Sequence, residues 1–206
     1  SLTLTATLSQ AADEDVTVVI GTSGTAVEGT DYTDGSGAID DMTISAGSTS
    51  TTANFTPTDD SIYEINETAT ISISSVSGAD ASISGGSQSV SITLTSNESA
   101  PTVTLTVSAS SINENAGTSV TITATLSGTT YEDVTVGLDF SGATEGTDFT
   151  DGSGNVDDIT ISAGNTTGTV NFTPTDDSIY EGNETVTVTV GSTVGGGALV
   201  NGSQTK

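Results

Sequence analysis

Long stretches of the chain alternate apolar and hydroxylated residues one for one. Leu2-Thr3-Leu4-Thr5-Ala6-Thr7-Leu8, Val120-Thr121-Ile122-Thr123-Ala124-Thr125-Leu126 and Val186-Thr187-Val188-Thr189-Val190 keep a period of two without a break. That period sends aliphatic side chains to one face and threonines to the other, as in antiparallel strands with one face buried and one in water. Similar patterning predicts further strands at 16–20, 42–45, 53–56, 69–74 and 90–95, then at 103–107, 134–140, 159–162 and 170–173, and extends the last alternation back to 185. Clusters of Gly, Ser, Asn and Asp separate these runs, and no stripe of helical period interrupts them, so no helix beyond a single turn is expected. Short strands between turn signals, with 24 glycines in all, predict an all-β sandwich architecture.

The pattern is written twice. Asn54-Phe55-Thr56-Pro57-Thr58-Asp59-Asp60-Ser61-Ile62-Tyr63-Glu64 recurs unchanged as Asn171-Phe172-Thr173-Pro174-Thr175-Asp176-Asp177-Ser178-Ile179-Tyr180-Glu181, an offset of 117 from Asp59 to Asp176. Both copies go on to Asn-Glu-Thr, at Asn66-Glu67-Thr68 and Asn183-Glu184-Thr185. The same offset relates Glu28-Gly29-Thr30-Asp31-Tyr32 to Glu145-Gly146-Thr147-Asp148-Phe149, and Asp40-Asp41 to Asp157-Asp158. A period of that length in 206 residues means two domains, each large enough to bury its own core. Pro101 ends the pairing of one set of strands before the next begins, which places the division at 1–99 and 100–206. The short connection predicts sandwiches arranged end to end.

Charge changes the picture more than composition does. There are 27 acids against one base, Lys206, for a formal net charge of −26. Phosphate binding needs Lys and Arg, so nucleic acid and anionic membrane surfaces are excluded as partners. No apolar run approaches the roughly 18 residues of a membrane span, so no membrane insertion is expected. Salt bridges cannot neutralise these acids; water, protons or a metal must. Without His or Cys, transition-metal ligation is disfavoured and nucleophilic or general-base chemistry has few candidates. Trp is absent too, which removes the platform of a sugar cleft, so an enzyme is not expected.

The succession Gly-Thr-Asp-Tyr/Phe, Thr-Ile-Ser-Ala-Gly, Phe-Thr-Pro-x-Asp-Asp-x-x-x-Glu-x-x-Glu and an alternating strand resembles the Calx-β domain, over nearly the whole chain and in two copies. The resemblance implies two tandem antiparallel β-sandwich domains, Ig-like and Calx-β-type, with acidic loops at one end that bind Ca²⁺. Carried over residue by residue, the first copy offers Asp31, Asp59, Asp60, Glu64 and Glu67, with Glu98 of Asn97-Glu98 at the end of its last strand, where family members carry a run of Asp. The second copy offers Glu114, Asp148, Asp176, Asp177, Glu181 and Glu184.

The chemistry agrees. Ca²⁺ takes six to eight oxygens from carboxylates, amides and carbonyls. Four carboxylates in the nine positions from Asp59 to Glu67 would repel one another without a cation. If that segment forms a turn, Asp60, Glu64 and Glu67 share a face. The competing reading is a solvated acidic turn with no ion. The acidic stretches 34–41 and 151–158 read as hairpin turns, and Asp13-Glu14-Asp15 and Glu132-Asp133 as loops before strands.

The chain is also out of phase with its own domains. Leu2-Thr3-Leu4 matches the second strand of the second copy, and Gly202-Ser203-Gln204 matches a point before the first copy's closing strand. The first domain is thus expected to lack an opening strand and the second a closing one. Two settings fit: a calcium-binding repeat of an extracellular or cell-surface protein, such as an adhesin stalk, or a metal-independent acidic subunit that polymerises into a filament by strand complementation. Neighbouring repeats of the same chain are the partners in the first, identical subunits of a fibre in the second.

Overall fold

The computed structural model describes residues 1–86, 88–151, 156–180 and 182–200. Among them there is no α-helix; the one helical element is a 3-10 turn at Glu114–Ala116. Every strand expected from the alternation forms, and burial follows the alternation in most of them, Leu2 and Val90 being exposed exceptions. In β9 (Val120–Leu126) the apolar positions are buried and the threonines half-buried, residue by residue.

The first unit comprises Ser1–Asp60 and Asn66–Thr95. One of its sheets has the order β1 (Leu2–Thr7), β5 (Ser50–Pro57), β3 (Tyr32–Thr33). The other runs β4 (Met42–Ile44), β2 (Val16–Gly24), β6 (Glu67–Ser77), β7 (Ser89–Leu94). All these pairings are antiparallel. Ala6 of β1 packs with Val16, Val18, Met42 and Ile44 of the other sheet, and Phe55 of β5 with Ala69 and Ile71, so the two sheets close on each other. Tyr32 and Phe55 stack at 4.6 Å between ring centres, both with almost no exposure.

The second unit repeats this plan. One sheet is β11 (Phe149–Thr150), β13 (Thr167–Pro174), β9, β8 (Thr102–Val107), β15 (Leu199–Val200), the last pair parallel. The other is β12 (Ile159–Ile161), β10 (Val134–Ser141), β14 (Thr187–Val194). Leu105, Ile122 and Ala124 meet Val134, Val136, Ile159, Ile161 and Val188 in one core. Phe149 stacks on Phe172 at 4.6 Å, as Tyr32 does on Phe55.

The pattern gives no sign of the two-residue strands β3, β11 and β15, because a period needs more than two residues to show. The first two are set by the aromatic residue itself: Tyr32 and Phe149 are drawn into the core, which lays the following Thr beside β5 and β13.

The second unit takes in Ser61–Ile65 along with the chain from Ser96 onward. Within it, the Tyr63 N–H donates to the Thr129 carbonyl at 3.0 Å and the Tyr131 N–H to the Tyr63 carbonyl at 3.3 Å, a short parallel bridge.

Candidate metal centre

Asp31 is placed by the turn that precedes β3. Its N–H donates to the Val27 carbonyl at 2.8 Å, and its own carboxylate accepts the Val27 N–H at 2.5 Å, so side chain and backbone close the same five-residue loop. The Asp31 carbonyl then accepts the Thr58 N–H at 2.9 Å, which ties this loop to the start of the acidic stretch. The aromatic residue next to Asp31 anchors the arrangement in the core, and Asp31 itself is only 9% exposed.

The acidic stretch leaves β5 at Pro57 and enters β6 at Glu67. It is not a helical turn: residues 58–66 carry no helical assignment. The shared face of Asp60, Glu64 and Glu67 does not form; instead Glu64 and Glu67 come together with Asp31. One carboxylate oxygen from each of Asp31, Glu64 and Glu67 lies within 4.8 Å of the other two. Asp59 and Asp60 are exposed at the start of the stretch. Glu98 is half-buried, and its carboxylate accepts the Ser96 hydroxyl at 2.9 Å, whose oxygen in turn accepts the Glu64 N–H at 3.4 Å. Ser96 thus couples Glu98 to the backbone of a residue in the cluster.

Three converging carboxylates are hard oxygen donors, suited to Ca²⁺ or Mg²⁺ and poorly to softer metals. One oxygen of Asp31 is engaged by the Val27 N–H, which orients the carboxylate and leaves its other oxygen for an ion. Backbone carbonyls and water would supply the remaining ligands of a calcium shell.

In the second repeat Asp148 is held as Asp31 is. Its carboxylate accepts the Thr144 N–H at 2.6 Å, its N–H donates to the Thr144 carbonyl at 2.8 Å, and its carbonyl accepts from Thr175 at 2.9 Å. Asp176, Asp177 and Glu184 are exposed, and the Asp177 carboxylate accepts the Ile179 N–H at 2.7 Å. Glu114 is exposed on the 3-10 turn. Glu181, the counterpart of Glu64, lies outside the described residues. Among the described residues no second group of three acids gathers as Asp31, Glu64 and Glu67 do.

Sequence reasoning missed what many other acids do. With one base in the chain, carboxylates find backbone N–H groups instead of cations. Glu14 accepts from Ala79 at 2.6 Å, and Glu132 from Gly196 at 2.7 Å. Asp15 accepts from Ala46 and Asp133 from Ala163, both at 2.8 Å. Glu28 accepts from Ile39 and Glu145 from Val156, both at 2.5 Å. The recurrence of each acid beside turn residues in both copies is the signal that points to these roles. Asp34 accepts the Ser36 N–H, the Ser36 hydroxyl and the Gly37 N–H, and those bonds, the Ser36 N–H foremost, hold its carboxyl below the ordinary value. Burial pushes the Tyr32 phenol up, against the pull of a Thr22 hydrogen bond and with help from the charges of Glu28 and Asp31.

Solved structures resemble the chain, among them these two. One is described as CBD12 from CALX1.2, at 18% identity over 94% of this chain and 73% of that one, with a TM-score of 0.38. The other is described as calcium binding domain CBD12 of CALX1.1, at 16% identity over 93% and 74%, also with a TM-score of 0.38. No curated protein matches the sequence significantly. The family model of the Calx-beta domain matches residues 2–98 and again residues 96–206. The chain therefore belongs to the Calx-beta family, as a tandem of two such domains.

Proposed function

We propose that this tandem is a calcium-binding structural module, not an enzyme, and that it serves as a repeat of an extracellular or cell-surface protein such as an adhesin stalk. The observation that carries the reading is the approach of Asp31, Glu64 and Glu67 to within 4.8 Å in a chain whose net charge is −26. Like charges at such a distance repel one another unless a cation sits among them. Family membership supports the same ion, and the oxygen-only donor set suits it. The charge favours the extracellular setting on two counts. Strong acidity keeps a long repetitive chain soluble, and millimolar extracellular calcium can saturate a site of modest affinity. The test is a thermal melt followed by circular dichroism in millimolar Ca²⁺ and in EGTA. A higher midpoint with Ca²⁺ is expected; identical melts would favour the metal-independent reading.

A further inference from the structure

The sequence Asp-Asp-Ser-Ile-Tyr occurs in both repeats, and the structure treats the two copies differently. Ser61–Ile65 is incorporated into the second unit. There the backbone of Tyr63 bridges Thr130, the Thr129 hydroxyl donates to the Ser61 carbonyl at 3.5 Å, and the phenol ring lies over Gly197. A Cβ on Gly197 would stand 2.7 Å from a ring carbon of Tyr63, so a side chain there would force the ring out of its present seat. In the second repeat Ile179 is 64% exposed and Tyr180 is 97% exposed. A tyrosine so placed is rare on a surface that nothing covers, since Tyr is a side chain that interfaces prefer to bury.

We propose that Ile179 and Tyr180 form a docking tip, whose partner is another unit of this fold presenting a seat like that of Thr129, Thr130, Tyr131 and Gly197. The first unit of this chain does not qualify. Its counterpart of Gly197 is Asp80, which keeps the same left-handed backbone at φ 51 where Gly197 has φ 57. Its Cβ would stand where the tyrosine ring must lie. Thr129 and Thr130 correspond to Ala11 and Ala12, so a hydroxyl that meets the incoming strand is gone as well. The second unit has the seat, filled by its own Tyr63. Partner choice thus turns on the Gly197 position, where a side chain crowds the incoming ring, and on the threonines beside it.

This inference rests on the repeat-array part of the function proposed above and not on calcium. It is tested by emptying the seat in the full chain. Tyr63→Ala leaves a vacant seat and a free Tyr180 on each molecule, a head-to-tail arrangement that propagates into rings or filaments. Sedimentation equilibrium in calcium-containing buffer, at up to about 1 mM chain to match the effective concentration of a short tether, should show oligomers for Tyr63→Ala and monomers for the wild type. Adding Tyr180→Ala, or Gly197→Asp, to the Tyr63→Ala chain should abolish the oligomers. Tyr63→Leu, which retains part of the packing volume, serves if the alanine variant unfolds. A monomeric vacated-seat variant overturns the proposal, as do oligomers that survive loss of Tyr180. A normal calcium response in the same samples would show that the failure is of the tip and not of the calcium reading.

Discussion

The carboxylate of Asp41 accepts the backbone N–H of Ile20 at 2.9 Å, at the residue where β2 slips register against β6. The second repeat does the same: Asp158 accepts the Leu138 N–H at 3.0 Å where β10 slips against β14. A bulge leaves one N–H out of the ladder, and each repeat supplies an acid to receive it. Replacing Asp41 or Asp158 with Ala should lower stability by about 1 kcal/mol, a drop of roughly 4–8 °C for a domain of this size. Asn, which keeps an acceptor oxygen, should restore most of it. Denaturant or thermal melts of the variants check this, and the loss should be the same with and without Ca²⁺.

The cluster itself predicts the opposite dependence. Glu64→Gln or Glu67→Gln should leave the melt in EGTA unchanged or slightly improved, because a repulsive charge is removed. Either change should erase most of the calcium-dependent gain, which is about 2.7 kcal/mol when the ion is at a hundred times its Kd. Calorimetric titration with Ca²⁺ provides the second measurement.

Tyr32 should make the first unit sensitive to alkali. Its folded pKa is raised, chiefly by burial. The neutral phenol therefore contributes stability that is fully present below the unfolded value near 10 and is lost as pH rises through the folded value. Phe149 occupies the equivalent place in the second repeat. Tyr32→Phe should flatten the loss of stability above about pH 10, measured by melts across that range.

At the acid end Asp34 runs the other way. Its folded pKa is lowered by the Ser36 N–H, then the Ser36 hydroxyl and the Gly37 N–H. Its contribution is present above the ordinary aspartate range and fades as pH falls through the depressed folded value. An NMR titration of the Asp34 carboxyl should give a midpoint below that of an unstructured peptide, and Ser36→Ala should move it part of the way back.

Gly24 and Gly142 sit at φ 124 and 107, where a Cβ would lie 1.9 Å from the carbonyl oxygens of Thr68 and Thr185. Alanine at either site meets both a disfavoured backbone and a backbone atom that cannot step aside. Each substitution should cost at least about 2 kcal/mol and unfold its own unit first, seen as a split melting transition.

The sandwich was legible because alternation is long and regular: Val120 to Leu126 could face a core in only one way. The repeat made the duplication legible as well. What sequence could not give was the meeting of residues far apart in it. Asp31, Glu64 and Glu67 were all named, yet local spacing suggested a face of Asp60, Glu64 and Glu67. The non-helical path after Pro57 brings Asp31 into the group instead. The carboxylate–amide pairs were hidden for a similar reason. Asp15 and Ala46, or Glu14 and Ala79, are joined only once the strands between them have paired.

The incorporation of Ser61–Ile65 into the second unit has a consequence for how such chains can be assembled by recombination. Duplication copied a stretch with a 117-residue offset, but the piece that folds together is not the piece that was copied. A crossover placed cleanly at a repeat boundary carries Tyr63 away with one module and leaves Gly197 behind in the other. Exchanging single repeats among relatives would therefore separate a side chain from the space kept for it. The two halves of this contact, a tyrosine and a glycine, lie 134 positions apart and must be inherited together for the contact to persist.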